Sequence, residues 1–170
     1  VIDAEPATVA SLYSGYIAPL AAIPAICQAI GTSLFGVSIP IVGGHYRVPI
    51  GTALVNAIVY YVVTLIFVYV GAFIVDALAP TFSGTKNMVQ ALKVVAVSAT
   101  PGWVVGILYL VPALRVIGLL ALLYGLYLLY LSLPVFMKSP VEKAAGYTVV
   151  VVIACVIVGL IIGVLFAALG

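Results

Sequence analysis

Charge is scarce in this sequence. Six Lys or Arg and four Asp or Glu occur in 170 residues, or 6% of the chain, where a soluble domain carries roughly a quarter. So few charges cannot cover a surface that faces water. Hydrophobic residues make up 66%, so lipid has to be the solvent. Metal and nucleophile chemistry is equally thin. His45 is the single histidine, and Cys27 and Cys155 are the only cysteines. No CxxC or Cys/His cluster occurs, and a structural zinc site needs four ligands. Both cysteines therefore read as small buried packing residues. The carboxylates Asp3, Glu5, Asp76 and Glu142 form no dyad and no HExxH motif, which makes a membrane enzyme the poorest class. No catalytic residue, cofactor or metal is expected. Gly43-Gly44 is not followed by the Gly-Lys of a phosphate loop. A net charge of +2 with no basic tract among aromatics excludes a nucleic-acid partner. The opening Val1-Ile-Asp-Ala-Glu-Pro6 has no basic start before an apolar core, so it does not read as a secretory signal. The start at Val1 without Met leads us to expect a segment upstream.

What is present is a succession of apolar runs, each close to the 20 residues needed to cross hydrocarbon. They cover about 9–35, 49–75, 94–111, 116–133 and 147–169. The expected fold is all-α: a polytopic transmembrane bundle of about five helices in one domain over 1–170. Pro19 and Pro24 interrupt the first run, and Thr100-Pro101-Gly102 interrupts the third. Proline removes a backbone donor and bends a helix, so the first and third helices are expected to be kinked or broken there. Residues 36–49 read as a loop, from Pro40, Gly43 and Gly44. Residues 87–93 read as an amphipathic lead-in to the third span. Small residues recur every four positions at Ala21, Ala25, Ala29 and Ser33, at Ser98, Gly102 and Gly106, and at Cys155, Gly159, Gly163 and Ala167. Such stripes let helices approach closely, within one copy or between copies.

Orientation follows from the cations. Lys86, Lys93, Lys138 and Lys143 fall on the amino-terminal side, and Arg47 and Arg115 on the other. The amino terminus is expected to be cytoplasmic and the carboxy terminus outside.

The stretch Tyr124-Gly-Leu-Tyr-Leu-Leu-Tyr-Leu-Ser-Leu-Pro134, then Met137-Lys138-Ser139-Pro140, Lys143-Ala144 and Tyr147-Thr148-Val149, resembles the Yip (Ypt-interacting protein) domain family, most closely its bacterial branch. Tyr16-Ile-Ala-Pro-Leu-Ala-Ala-Ile23 and Ala99-Thr-Pro-Gly-Trp103 are similar to the same family. The resemblance implies five transmembrane helices, a cytoplasmic amino terminus and a bacterial inner membrane. Eukaryotic members bind Rab-type GTPases in Golgi and endoplasmic reticulum membranes. Their Asp-Leu-Tyr-Gly-Pro motif is absent here, so that activity is not carried over.

Four groups of candidate residues emerge. Lys138, Glu142 and Lys143 form a compact polar turn. It is read first as a topology signal and helix start, and second as a dock for anionic lipid or a protein partner. Glu142 falls near the positive end of the last helix, where a carboxylate is favoured. Thr100, Pro101 and Gly102, with Tyr124 and Tyr127, are the candidates for a solute path through a broken helix. Proline packing and an interfacial tyrosine belt are the plainer readings. Cys155, Gly159, Gly163, Ser98 and Gly106 are the helix-packing candidates. Asp76, Lys93 and Arg115 fall near span ends, where they can snorkel; Asp76 and Lys93 share a side and are able to pair. The leading expectation is a non-enzymatic scaffold that contacts lipids, a membrane or cytoplasmic protein, or a second copy of itself. The alternative is a small transporter, channel or lipid-handling protein that uses the third helix.

Overall fold

The computed structural model describes residues 8–39, 44–111, 114 and 117–169. Asp3, Glu5, Gly43, Pro112 and Arg115, and the side chain of Ala167, lie outside what is described. Among the described residues, five helices are long and apolar enough to cross a membrane. They are α1 (Val9–Leu34), α2 (Ile50–Leu78), α3 (Met88–Val105), α4 (Ile117–Met137) and α5 (Val141–Leu169). The fold is thus the expected all-α polytopic one. One small addition is an antiparallel pair between α1 and α2, β1 (Val37–Ile39) and β2 (Gly44–Tyr46), which pairs Val37 with Tyr46 and Ile39 with Gly44.

The prolines do not break the helices. Pro24 lies inside the α-helical stretch Ala18–Leu34, and Pro101 inside α3. Each proline removes one ladder hydrogen bond; the remaining ladder carries the helix through. The departures from α geometry fall elsewhere. In α1 a π-helical segment, Tyr13–Ile17, precedes both prolines. In the third span the α-helix gives way to a 3₁₀ segment at Gly106–Leu110, beyond Thr100-Pro101-Gly102.

The boundaries near the polar turn also differ from expectation. Pro134 lies inside α4, which runs on to Met137. Lys138 ends it by adopting a left-handed conformation, φ 54°, which the next helical residue cannot follow. α5 begins at Val141, immediately after Pro140, and not at Tyr147. The supposed lead-in is the first part of α3. The Asn87 side-chain Oδ1 accepts the backbone N–H groups of Val89 (3.1 Å) and Gln90 (3.2 Å) and caps that helix.

The chain forms two compact units. One combines residues 67–98 and 126–170, the other residues 10–66 and 99–125. The core of the first holds Val75, Leu92, Leu133, Met137 and Tyr147, all fully buried. The core of the second sets small residues around the buried Ile17 and Trp103. Ala21, Ala25 and Ala29 are buried, and a Cβ added to Gly106 would meet Pro24 at 2.6 Å. Gly31 lies so close to the Tyr109 carbonyl that a side chain there would collide with backbone. Close approach of this kind is what small residues give membrane helices. Large apolar side chains such as Leu54, Ile58, Leu120 and Leu160 stay more than half exposed; in a membrane these faces meet lipid.

Candidate functional site

Two short connections meet in the first unit. The loop Ser83–Asn87 follows a 3₁₀ turn, Ala79–Phe82. The turn Lys138–Pro140 joins α4 to α5. The backbone N–H of Thr85 donates to the Met137 carbonyl at 2.8 Å. This satisfies one of the carbonyls that a helix end leaves open. Gly84 permits the approach, since a Cβ there would stand 2.9 Å from the same Met137 oxygen.

The start of α5 then locks onto the loop. Lys143 Nζ donates to Ser83 Oγ at 2.7 Å. The Tyr147 ring stacks on Phe82 at 4.8 Å and 7°. The Tyr147 hydroxyl donates to the Val75 carbonyl, so a fully buried phenol keeps a partner. A Cβ on Gly146 would lie 3.5 Å from the Phe82 ring, and Ala144 is fully buried. Sequence reasoning singled out Lys143 for outside partners and overlooked what Phe82, Ser83 and Tyr147 do. Within this unit Lys143 and Tyr147 bind the two connections into one platform. Lys86, Lys138, Glu142 and Lys143 are all exposed on it. Lys138 is held in the left-handed region, as is Ser83 at φ 59°. Non-glycine residues enter this region at a cost that usually marks a constraint.

The other candidates are dispersed. Thr100 shares a 2.7 Å hydrogen bond with the Tyr16 hydroxyl. Gly102 has open space where a Cβ would be. Tyr124 and Tyr127 are 54% and 56% exposed, so both rings face outward. Tyr13, which donates to the Leu65 carbonyl at 2.8 Å, and Tyr61, which donates to the Ala18 carbonyl at 3.2 Å, tie α1 to α2. The roles of Tyr13 and Tyr16 escaped sequence reading because a π segment disturbs their helical spacing. Of the packing candidates, Gly106 abuts Pro24. Cys155 Sγ lies 4.0 Å and Phe67 lies 3.7 Å from Cβ atoms built on Gly71 and Gly159 respectively. Gly163 faces open space, and the Ser98 hydroxyl bonds back to the Val94 carbonyl at 2.7 Å. Lys93 is not at a span end: it lies within α3 and is 4% exposed. Asp76 Oδ1 is buried without a hydrogen-bond partner. Among the described residues no group of His, Cys, Asp and Glu is arranged to hold a metal ion.

Among the described residues, five helices long and apolar enough to cross a bilayer define an integral membrane protein. The sequence model of the Yip1 domain matches residues 1–163, and the chain belongs to the Yip1 domain family. It is 28% identical over 151 residues to "Inner membrane protein YohC" of Escherichia coli strain K12, which covers 87% of this chain and 77% of that protein. The same figures hold for YohC of Escherichia coli O6:H1. No solved structure matches the chain.

Proposed function

We propose that this protein is a non-enzymatic scaffold of a bacterial inner membrane, with a cytoplasmic amino terminus and an external carboxy terminus. The membrane assignment draws on the name of its relatives, and the orientation on four lysines against two arginines. The carrying observation is the platform. Two connections are joined by the Thr85 to Met137 hydrogen bond, the Lys143 to Ser83 hydrogen bond and the stacking of Phe82 on Tyr147. Their exposed charges are thereby preorganised, and preorganisation lowers the ordering cost of binding. Its role is to dock a cytoplasmic or membrane protein. The outward Tyr124 and Tyr127 and the intact α3 favour this reading over a solute path. A groove between α1 and α2, about 460 Å³, is walled by residues such as Ala25, Ile26, Leu54 and Ile58 and offers a polar solute little to bind.

Gentle extraction followed by native mass spectrometry tests the proposal. A stoichiometric protein partner is expected with the wild type, and it is lost when Lys86 and Lys143 are both changed to Glu. Ser83→Ala breaks the same internal contact without altering charge, and is expected to weaken the partner's binding without abolishing it. Retention of the partner by the double reversal, or recovery of no protein partner at all, would overturn the scaffold.

A further inference from the structure

Beside the platform, Thr85, Asn87 and Gln90 face Val135, Phe136 and Lys138 across a cavity of about 280 Å³. Its chemistry is mixed. Lys138 supplies a cation. Asn87 commits its oxygen to capping α3, which leaves its NH₂ group to donate. Gln90 brings the opposite polarity, because its Oε1 is buried without a hydrogen-bond partner. A buried acceptor of this kind calls for a donor. Val135 and Phe136 supply an apolar wall, and Val135 is 67% exposed.

Depth narrows the occupant. The 21 residues of α4 rise ~31 Å at 1.5 Å each, about the thickness of the hydrocarbon core. Val135 to Lys138, at its end, therefore lie where acyl chains give way to headgroups. From these features we infer that the cavity binds the headgroup of a glycerophospholipid. The phosphate meets Lys138 and the Asn87 NH₂. A hydroxyl or ammonium beyond the phosphate donates to Gln90 Oε1. The upper acyl chain lies along Val135 and Phe136. Phosphatidylglycerol and phosphatidylethanolamine carry such a donor, whereas the quaternary ammonium of phosphatidylcholine does not. The left-handed Lys138 fits this assignment, because glycine would hold that turn with less strain.

This site shares Thr85 and Lys138 with the platform, but its test contains no protein partner, so its failure is distinguishable from that of protein docking. The purified, delipidated chain is offered phosphatidylglycerol, phosphatidylethanolamine or phosphatidylcholine in mixed micelles, and native mass spectrometry counts what stays bound. The wild type is expected to retain one phosphatidylglycerol or phosphatidylethanolamine in preference to phosphatidylcholine. Lys138→Gly, which suits the backbone and keeps the fold, is expected to lower phosphatidylglycerol retention about fivefold, the worth of one lysine near an anionic headgroup. Gln90→Leu is expected to erase the preference over phosphatidylcholine. Equal retention by the wild type and Lys138→Gly would overturn the inference. So would displacement of the lipid by inorganic phosphate, or by an acidic peptide at similar concentration.

Discussion

Single residues decide how the polar end is held. Tyr147 does two things with one side chain: its ring stacks on Phe82 and its hydroxyl reaches the Val75 carbonyl. Tyr147→Phe removes only the second. It is expected to cost about 1 kcal/mol, the net worth of one hydrogen bond, and to lower the melting temperature in detergent modestly. Tyr147→Ala also empties a fully buried volume and is expected to cost about 3–5 kcal/mol. If the two variants melt alike, the ring is not the anchor described. None of this was legible from residues 138–147 alone. The turn stood out because Lys138, Glu142 and Lys143 are rare charges between apolar runs. The partners of Lys143 and Tyr147 lie 60 and 72 residues away, and no local pattern encodes that distance.

At the scale of the element, hydropathy identified the five spans but placed the end of the fourth and the start of the fifth several residues away from where they fall. Proline was the chief cause. Pro134 reads as a stop, yet it lies within α4, and the helix ends instead at a lysine whose backbone turns left-handed. Faces were harder still. In lipid both the packed and the exposed sides of a helix are apolar, so the periodic contrast that marks a soluble helix fades. Small-residue stripes were legible, but which members carry a contact was not. Gly31, which belongs to none of the stripes, and Gly163, which belongs to one, separate the two cases. Gly31 lies against the Tyr109 backbone, whereas Gly163 has nothing within 4 Å. Gly31→Ala is expected to cost about 1–3 kcal/mol through overpacking. Gly163→Ala is expected to be neutral or stabilising by up to about 1 kcal/mol, because alanine is the better helix former. Thermal unfolding of both variants in one detergent checks the contrast; comparable losses would contradict it.

At the scale of the whole molecule, the five candidate spans among the described residues are an odd number, and the proposed orientation puts the start of the chain in the cytoplasm and its end outside. A reporter enzyme active only in the cytoplasm, fused after Gly170, is expected to be silent, while the same reporter inserted in the Ser83–Asn87 loop is expected to be active. The reverse result would turn the platform outward and remove the basis for a cytoplasmic partner.

The π-helical segment of α1 acts as a spacer. It accommodates one residue more than a regular helix would over the same rise. Deleting Gly15, which has open space around it, would let the segment relax to α geometry. Residues 8–12 would then keep their phase, because the π turn had absorbed the extra residue locally. Tyr13 would still reach the Leu65 carbonyl, as Tyr61 would still hold Ala18. The irregular turn thus works as a register absorber, letting the sequence carry one more residue while residues 8–12 keep the face they would have on an unbroken helix.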